Sequence, residues 1–160
     1  MEESIRNVSD STSRREFVLK VCQAGSIAAL GAILLEACNQ NPLGGDVPSL
    51  ATVQASVSNG VVSLNVGGGS PLAGVGTAAL VQFSGGALLV AHTAQSAFTA
   101  LSSFCTHQNC QITGWQNQTY VCTCHGSKFS TSGQVTQGPA RTALKSYATQ
   151  VSNSTLMITL

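Results

Sequence analysis

The sequence predicts an antiparallel all-β domain over residues 51–160. Period-two alternation, short apolar runs and turn-forming glycines predict it. Val53–Val57 and Val62–Val66 alternate apolar with polar residues, the pattern of half-buried strands. Asn59-Gly60 between them is a two-residue hairpin signal. Further apolar runs follow at Ala78–Phe83, Leu88–Ala91, Ala97–Leu101, Tyr120–Val121 and Leu156–Leu160, with Gly85-Gly86 as a second turn signal. Such patterning leaves sandwich and barrel equally open.

Composition narrows the chemistry. Hydrophobic residues make up 43% of the chain and charged residues only 8%, against roughly 25% in an average soluble domain. All the acids precede residue 47, and from Val47 onward the charged side chains are Lys128, Arg141 and Lys145. The domain therefore has no carboxylate for acid–base catalysis or for a hard-cation site. Three cations are too few for a nucleic-acid face. Its surface reads as rich in Ser, Thr, Asn and Gln.

The first 38 residues are of another kind. Residues 1–12 are polar and read as disordered. Ser13-Arg14-Arg15-Glu16-Phe17-Val18-Leu19-Lys20 then precedes an apolar stretch from Ala24 to Leu35. This resembles a twin-arginine export signal. Val21–Ala37 is short for a membrane span, which needs about 20 apolar residues. Leu35-Glu36-Ala37-Cys38 resembles a lipobox, which makes Cys38 a candidate lipidation site; an uncleaved helical anchor is the other fate. Both leave the domain at the bacterial cytoplasmic membrane, on its periplasmic side. Cys22 reads as a small hydrophobe within the apolar run. Residues 39–50, with Pro42, Gly44, Gly45 and Pro48, read as a flexible tether of roughly 20 Å r.m.s. length.

The chemistry lies in two boxes, Cys105-Thr106-His107-Gln108-Asn109-Cys110 and Cys122-Thr123-Cys124-His125-Gly126-Ser127-Lys128-Phe129. Two cysteines and two histidines can make a tetrahedral zinc site, with Cys110 and Cys124 left spare. A Cys–His nucleophile leaves the clustering of four cysteines unexplained.

The boxes resemble the Rieske family, in the cytochrome bc class that carries an extra cysteine in each box. The resemblance is clear over about residues 98–147. It implies a β-sandwich with a cluster-binding subdomain inserted at about 101–140. It also implies one [2Fe–2S] cluster, with Cys105 and Cys122 on one iron and His107 and His125 on the other, and a disulfide between Cys110 and Cys124. Closing a loop of that size is worth about 3 kcal/mol in the chain-entropy model. Twin-arginine export carries folded proteins, which suits a cofactor loaded before export, into a compartment where disulfides persist.

Ligand type sets the potential. Two ferric ions, two sulfides and two thiolates are neutral together, so an electron is added more easily than to a four-cysteine cluster. Rieske centres lie at about −150 to +300 mV, against about −400 mV for plant-type ferredoxins. A hydroquinone hydrogen-bonded to His107 or His125 can then give up electron and proton together. By the resemblance, Ser127 holds the position that hydrogen-bonds a bridging sulfide. Phe129 stands where high-potential relatives have a tyrosine, so a lower potential is expected. Gly138-Pro139-Ala140 matches the loop covering the cluster's third side. Gln108 and Asn109 replace the family's Leu and Gly and make the tip more polar.

The resemblance implies the iron–sulfur subunit of a quinol–cytochrome c reductase-like complex, partnered by a cytochrome b-type subunit and a c-type cytochrome. The alternative is the small Rieske subunit of a periplasmic molybdenum oxidoreductase of the arsenite oxidase type, partnered by a molybdopterin subunit. His92 reads as structural or exposed, Trp115 and Tyr120 as packing for the hairpin between the boxes, and Lys128 as a solvated lysine.

Overall fold

The computed structural model describes residues 47–160; the signal and anchor expected over 1–38, including Cys38, lie outside the described residues. Twelve strands run through the described part. The first six are β1 (Ala51–Gln54), β2 (Ser56–Ser58), β3 (Val61–Asn65), β4 (Ala78–Phe83), β5 (Gly86–Ala94) and β6 (Ala97–Ser102). Four short strands follow: β7 (Gly114–Gln116), β8 (Thr119–Val121), β9 (Lys128–Phe129) and β10 (Val135–Gln137). The chain ends in β11 (Ser146–Ser152) and β12 (Thr155–Thr159).

Eight strands form one sheet in the order β1-β4-β5-β6-β11-β12-β3-β2. Its two edge strands, β1 and β2, are consecutive in the chain and separated only by Ala55. The sheet therefore curls back on itself as a nearly closed barrel. The alternating run Val53–Val57 is thus two strands rather than one, bent at Ala55 to serve both edges. One expectation is corrected: the sheet is not wholly antiparallel, because β1 runs parallel to β4. A short edge segment can pair this way since the long stretch through β2 and β3 returns the chain to the start of β4.

Turns set the register. Asn59-Gly60, Asn117-Gln118 and Asn153-Ser154 each carry positive φ at both positions, the mirror-image turns that match strand twist. Each opens on asparagine, which tolerates the left-handed region.

Strands β4 and β5 explain their continuous apolar runs. Ala79, Val81, Leu88 and Val90 face the barrel interior with Val62, Leu64, Leu156 and Ile158. Ala78, Leu80, Leu89 and Ala91 face outward, yet they are buried too. The small sheet β10-β9-β8-β7 supplies the cover. It belongs to an insertion: the chain leaves the barrel after Ser102 and returns at Ser146, where Leu101 and Ser146 pair. Tyr120, Phe129 and Ile112 of this insertion complete the second core. Trp115 pairs with Tyr120, Tyr120 with Phe129 and Phe129 with Val135, so one row of side chains crosses the whole small sheet.

The end of the expected tether is held against the same sheet. Leu50 N–H donates to Thr113 O at 2.7 Å, Trp115 N–H to Pro48 O at 2.9 Å, and Ser49 bridges Gly114. Leu50 is buried in the second core. Among the described residues no helix is long and apolar enough to cross a membrane.

Gly114 makes this approach possible. A Cβ there would lie 2.7 Å from Val47 Cγ1 and 2.9 Å from the Val121 carbonyl oxygen. Gly114→Ala is expected to cost about 1–3 kcal/mol, read as a lower urea midpoint. An unchanged midpoint would show that this contact carries no stability.

Candidate metal centre

Two loops of the insertion share one construction. Cys105 N–H donates to Cys110 O and Asn109 N–H to Cys105 O, both at 2.8 Å. Cys122 N–H donates to Ser127 O and Gly126 N–H to Cys122 O, both at 2.9 Å. The residue four places after each leading cysteine has positive φ, 56° at Asn109 and 77° at Gly126. Asparagine can therefore stand where glycine is expected, because both visit this region. Each loop is a tight turn that holds its leading cysteine and its histidine in fixed relation.

The loops face one another. Cys110 and Cys124 form a disulfide with Cα atoms 6.6 Å apart, within the usual range. The pairing expected from the resemblance is present. The imidazole rings of His107 and His125 lie 4.9 Å apart, edge to face. Cys105 and Cys122 are unpaired thiols, 3% and 1% exposed. His125 is exposed and His107 half-buried. The site is thus graded, with sulfur inside and imidazole outside.

The segment 137–142 closes a third side. Ala140 N–H donates to Ser127 Oγ at 3.0 Å, inside the protein. Gln137 Nε2 donates to Gly126 O at 3.3 Å and Thr106 Oγ1 to Thr142 O at 2.7 Å. Both loops are therefore tied to the segment that carries Pro139, which is itself exposed. Ser127, expected only to tune a cofactor, also anchors this wall. Phe129 is fully buried beneath the loops.

Burial pushes the Cys122 thiol pKa up, and the neighbouring Cys105 thiol adds to the rise. Backbone N–H groups of Cys124 and His125 donate to the Cys122 sulfur and oppose it. Cys110, Cys122 and Cys124 have their sulfurs within 4.8 Å of one another, but they are not a ligand set, since two of them are bonded to each other. A single tetrahedral ion has no claim on them.

The other candidates fall elsewhere. His92 is buried in the barrel, stacked on Phe98 at 4.2 Å, with Nδ1 donating to Leu72 O at 2.9 Å. It is structural. Trp115 and Tyr120 pack ring against ring at 4.7 Å. The Tyr120 hydroxyl is buried with no hydrogen-bond partner, and burial pushes its pKa up. Lys128 is half-buried on β9.

A barrel bearing two stapled Cys–His loops is the architecture of an iron–sulfur electron-carrier domain. The chain belongs to the Rieske [2Fe-2S] domain family, whose model matches residues 66–148, about half of its length. It is 33% identical over 86 residues to the cytochrome b6-f complex iron-sulfur subunit of Chlorobaculum thiosulfatiphilum, covering 52% of this chain and 46% of that protein. The same subunit of Chlorobaculum tepidum is 29% identical over 87 residues, covering 53% and 47%. The chain spans about half the length of these curated relatives. The crystal structure of the plasma membrane Rieske protein PetC3 from Synechocystis PCC 6803 is 31% identical, with a TM-score of 0.45 over 63% of this chain and 87% of that one.

The chain carries one Rieske-type [2Fe–2S] cluster. Its residues fit that group. His107 Nδ1 is buried and has no hydrogen-bond partner, as a nitrogen reserved for a metal must be. Among the described residues, the two free cysteines are the buried pair, and the other two are used up in the staple. Two contributions lay beyond sequence reading. The amides of Cys124 and His125 act through backbone geometry. Arg141, known from the sequence only as one of three cations, lines a cleft beside His107.

Cys110→Ser or Cys124→Ser is expected to lower stability by about 3 kcal/mol. Guanidinium unfolding of the oxidised protein reads the effect; a midpoint equal to that of the parent would show that the staple does not constrain the unfolded chain.

Proposed function

We propose that this chain is the iron–sulfur subunit of a membrane quinol-oxidising complex of the cytochrome bc kind, taking an electron from quinol and delivering it to a c-type cytochrome. The observation that carries the proposal is the grading of the site. Two buried free thiols lie beneath two histidines at the surface, one with an orphaned inward nitrogen. Cys105 and Cys122 hold one iron; His107 and His125 hold the other. When bound, the cluster supplies one-electron redox chemistry at a potential raised by neutral imidazole ligands.

The chain's own residues do the rest. Burial works against a charged Cys122 sulfur, and the amides of Cys124 and His125 work in the other direction. The disulfide keeps the two loops in register, and Ser127 keeps the third wall closed through Ala140. Buried Phe129, Tyr120 and Ile112 exclude water from the sulfur side. His107 and His125 bring the redox edge to the surface, where a partner's hydroxyl can hydrogen-bond.

Cellular placement rests on the sequence. Residues 1–38 serve as twin-arginine signal and anchor, with Cys38 as lipidation site if cleaved, and residues 39–46 as tether. The head then lies on the periplasmic side of the cytoplasmic membrane. The named b6-f relatives support a complex with a cytochrome b-type subunit. No observation favours the molybdenum-enzyme role.

Reduced protein is expected to show a rhombic Rieske EPR signal, and native membranes to show quinol-dependent reduction of it. A silent, iron-free protein after anaerobic reconstitution would overturn the ligand assignment. Phe129→Tyr adds a phenol donor under the loops and should raise the reduction potential. Voltammetry showing no rise would reject the role given to position 129.

A further inference from the structure

We infer that the cleft beside His107 is a docking site for an acidic protein surface, with Arg141 as the group that receives a partner carboxylate. The inference rests on the electron-carrier reading and specifies its partner. Thr106, His107, Pro139, Arg141 and Thr142 line a cleft of about 410 Å³. Its two walls are joined by the hydrogen bond from Thr106 Oγ1 to Thr142 O at 2.7 Å. Arg141, Pro139 and Thr142 are exposed. A planar guanidinium therefore stands at a rigid, open surface next to one of the two imidazoles.

Charge complementarity identifies the occupant. Residues 47–160 contain no Asp or Glu side chain, so none within the domain can neutralise Arg141. The other two cations sit elsewhere. Lys145 Nζ lies 4.4 Å above the Tyr147 ring, and Lys128 is half-buried on β9. No Asp or Glu side chain among the described residues opposes an approaching carboxylate, and one forked donor stands at the redox edge to bind it. The tip beside it offers Gln108 and Asn109, both exposed and uncharged. Selection of a partner at this face falls to the guanidinium, since charge across an interface governs encounter and register.

The test uses the full chain with its cluster and two c-type cytochromes as probes, one with an acidic haem-edge surface and one with a basic surface. Stopped-flow transfer from reduced protein is expected to be faster to the acidic probe at low ionic strength, and to slow as salt rises. Arg141→Gln should slow transfer to the acidic probe about three- to tenfold at low salt. It should weaken calorimetric binding of the oxidised protein to that probe by a similar factor. Lys145→Gln removes the same charge elsewhere and should change both by less than about twofold. Equal losses in the two variants, or rates and affinities indifferent to salt, overturn the docking site. Failure of the carrier reading looks different: the parent protein then lacks the EPR signal and reduces neither probe.

Discussion

Strands β4 and β5 are buried on both faces over Ala78–Val81 and Leu88–His92, and the rest of the molecule is arranged around that fact. One side of each strand fills the barrel, and the other needs a cover. The inserted sheet is that cover. Leu80, Leu89 and Leu101 of the barrel share a core with Cys105, Cys122, Tyr120 and Phe129 of the insertion. Burying each such large side chain is worth about 1.5–3 kcal/mol. The two Cys–His loops are therefore founded on the barrel's own packing, and the Cys105 and Cys122 side chains are part of the hydrophobic core. The incoming chain adds to this foundation through Leu50, which pairs with the small sheet before entering β1.

The two loops divide labour by depth. Repeated hydrogen-bond geometry at Cys105–Cys110 and Cys122–Ser127 gives each loop the same form. That form sends the leading cysteine inward and leaves the histidine two or three residues later near the surface. A buried thiolate is costly unless hydrogen-bonded. The amides of Cys124 and His125 offset part of that cost at Cys122. A neutral imidazole carries no such cost and can stand at the boundary with water. The inside–outside order of the cysteines and histidines thus follows from solvation as much as from connectivity.

The centre was more legible in the sequence than the barrel. The two boxes are a local pattern that carries the family resemblance, and that resemblance implied the staple Cys110–Cys124, which the structure contains. The runs at Ala78–Phe83 and Leu88–Ala91 pointed correctly to strands, and their lack of alternation is the mark of burial on both faces. Strand β11 escaped because the period-two set Tyr147, Thr149 and Val151 is only half-buried and its threonine reads as polar. β9 escaped because two residues carry no period. The parallel pairing of β1 with β4 is a long-range event with no local signature. The bend at Ala55 is likewise dictated by barrel closure and not by any turn residue.

The polar tip bears on how such a head can work. Docking by apolar burial needs contiguous area, and Gln108 and Asn109 present none beside His107. Phe104, 43% exposed, is the large apolar side chain nearest in sequence to the first loop. A contact built from one guanidinium, a proline edge and two threonines buries little surface, so it belongs with small, short-lived encounters. Brief contact is what an electron carrier requires, because a partner that stays bound blocks the next turnover. Charge raises the rate of encounter without lengthening the stay in proportion. Three cationic side chains, no Asp or Glu and a polar redox edge are the features of this domain that suit the proposed fast exchange with an acidic surface.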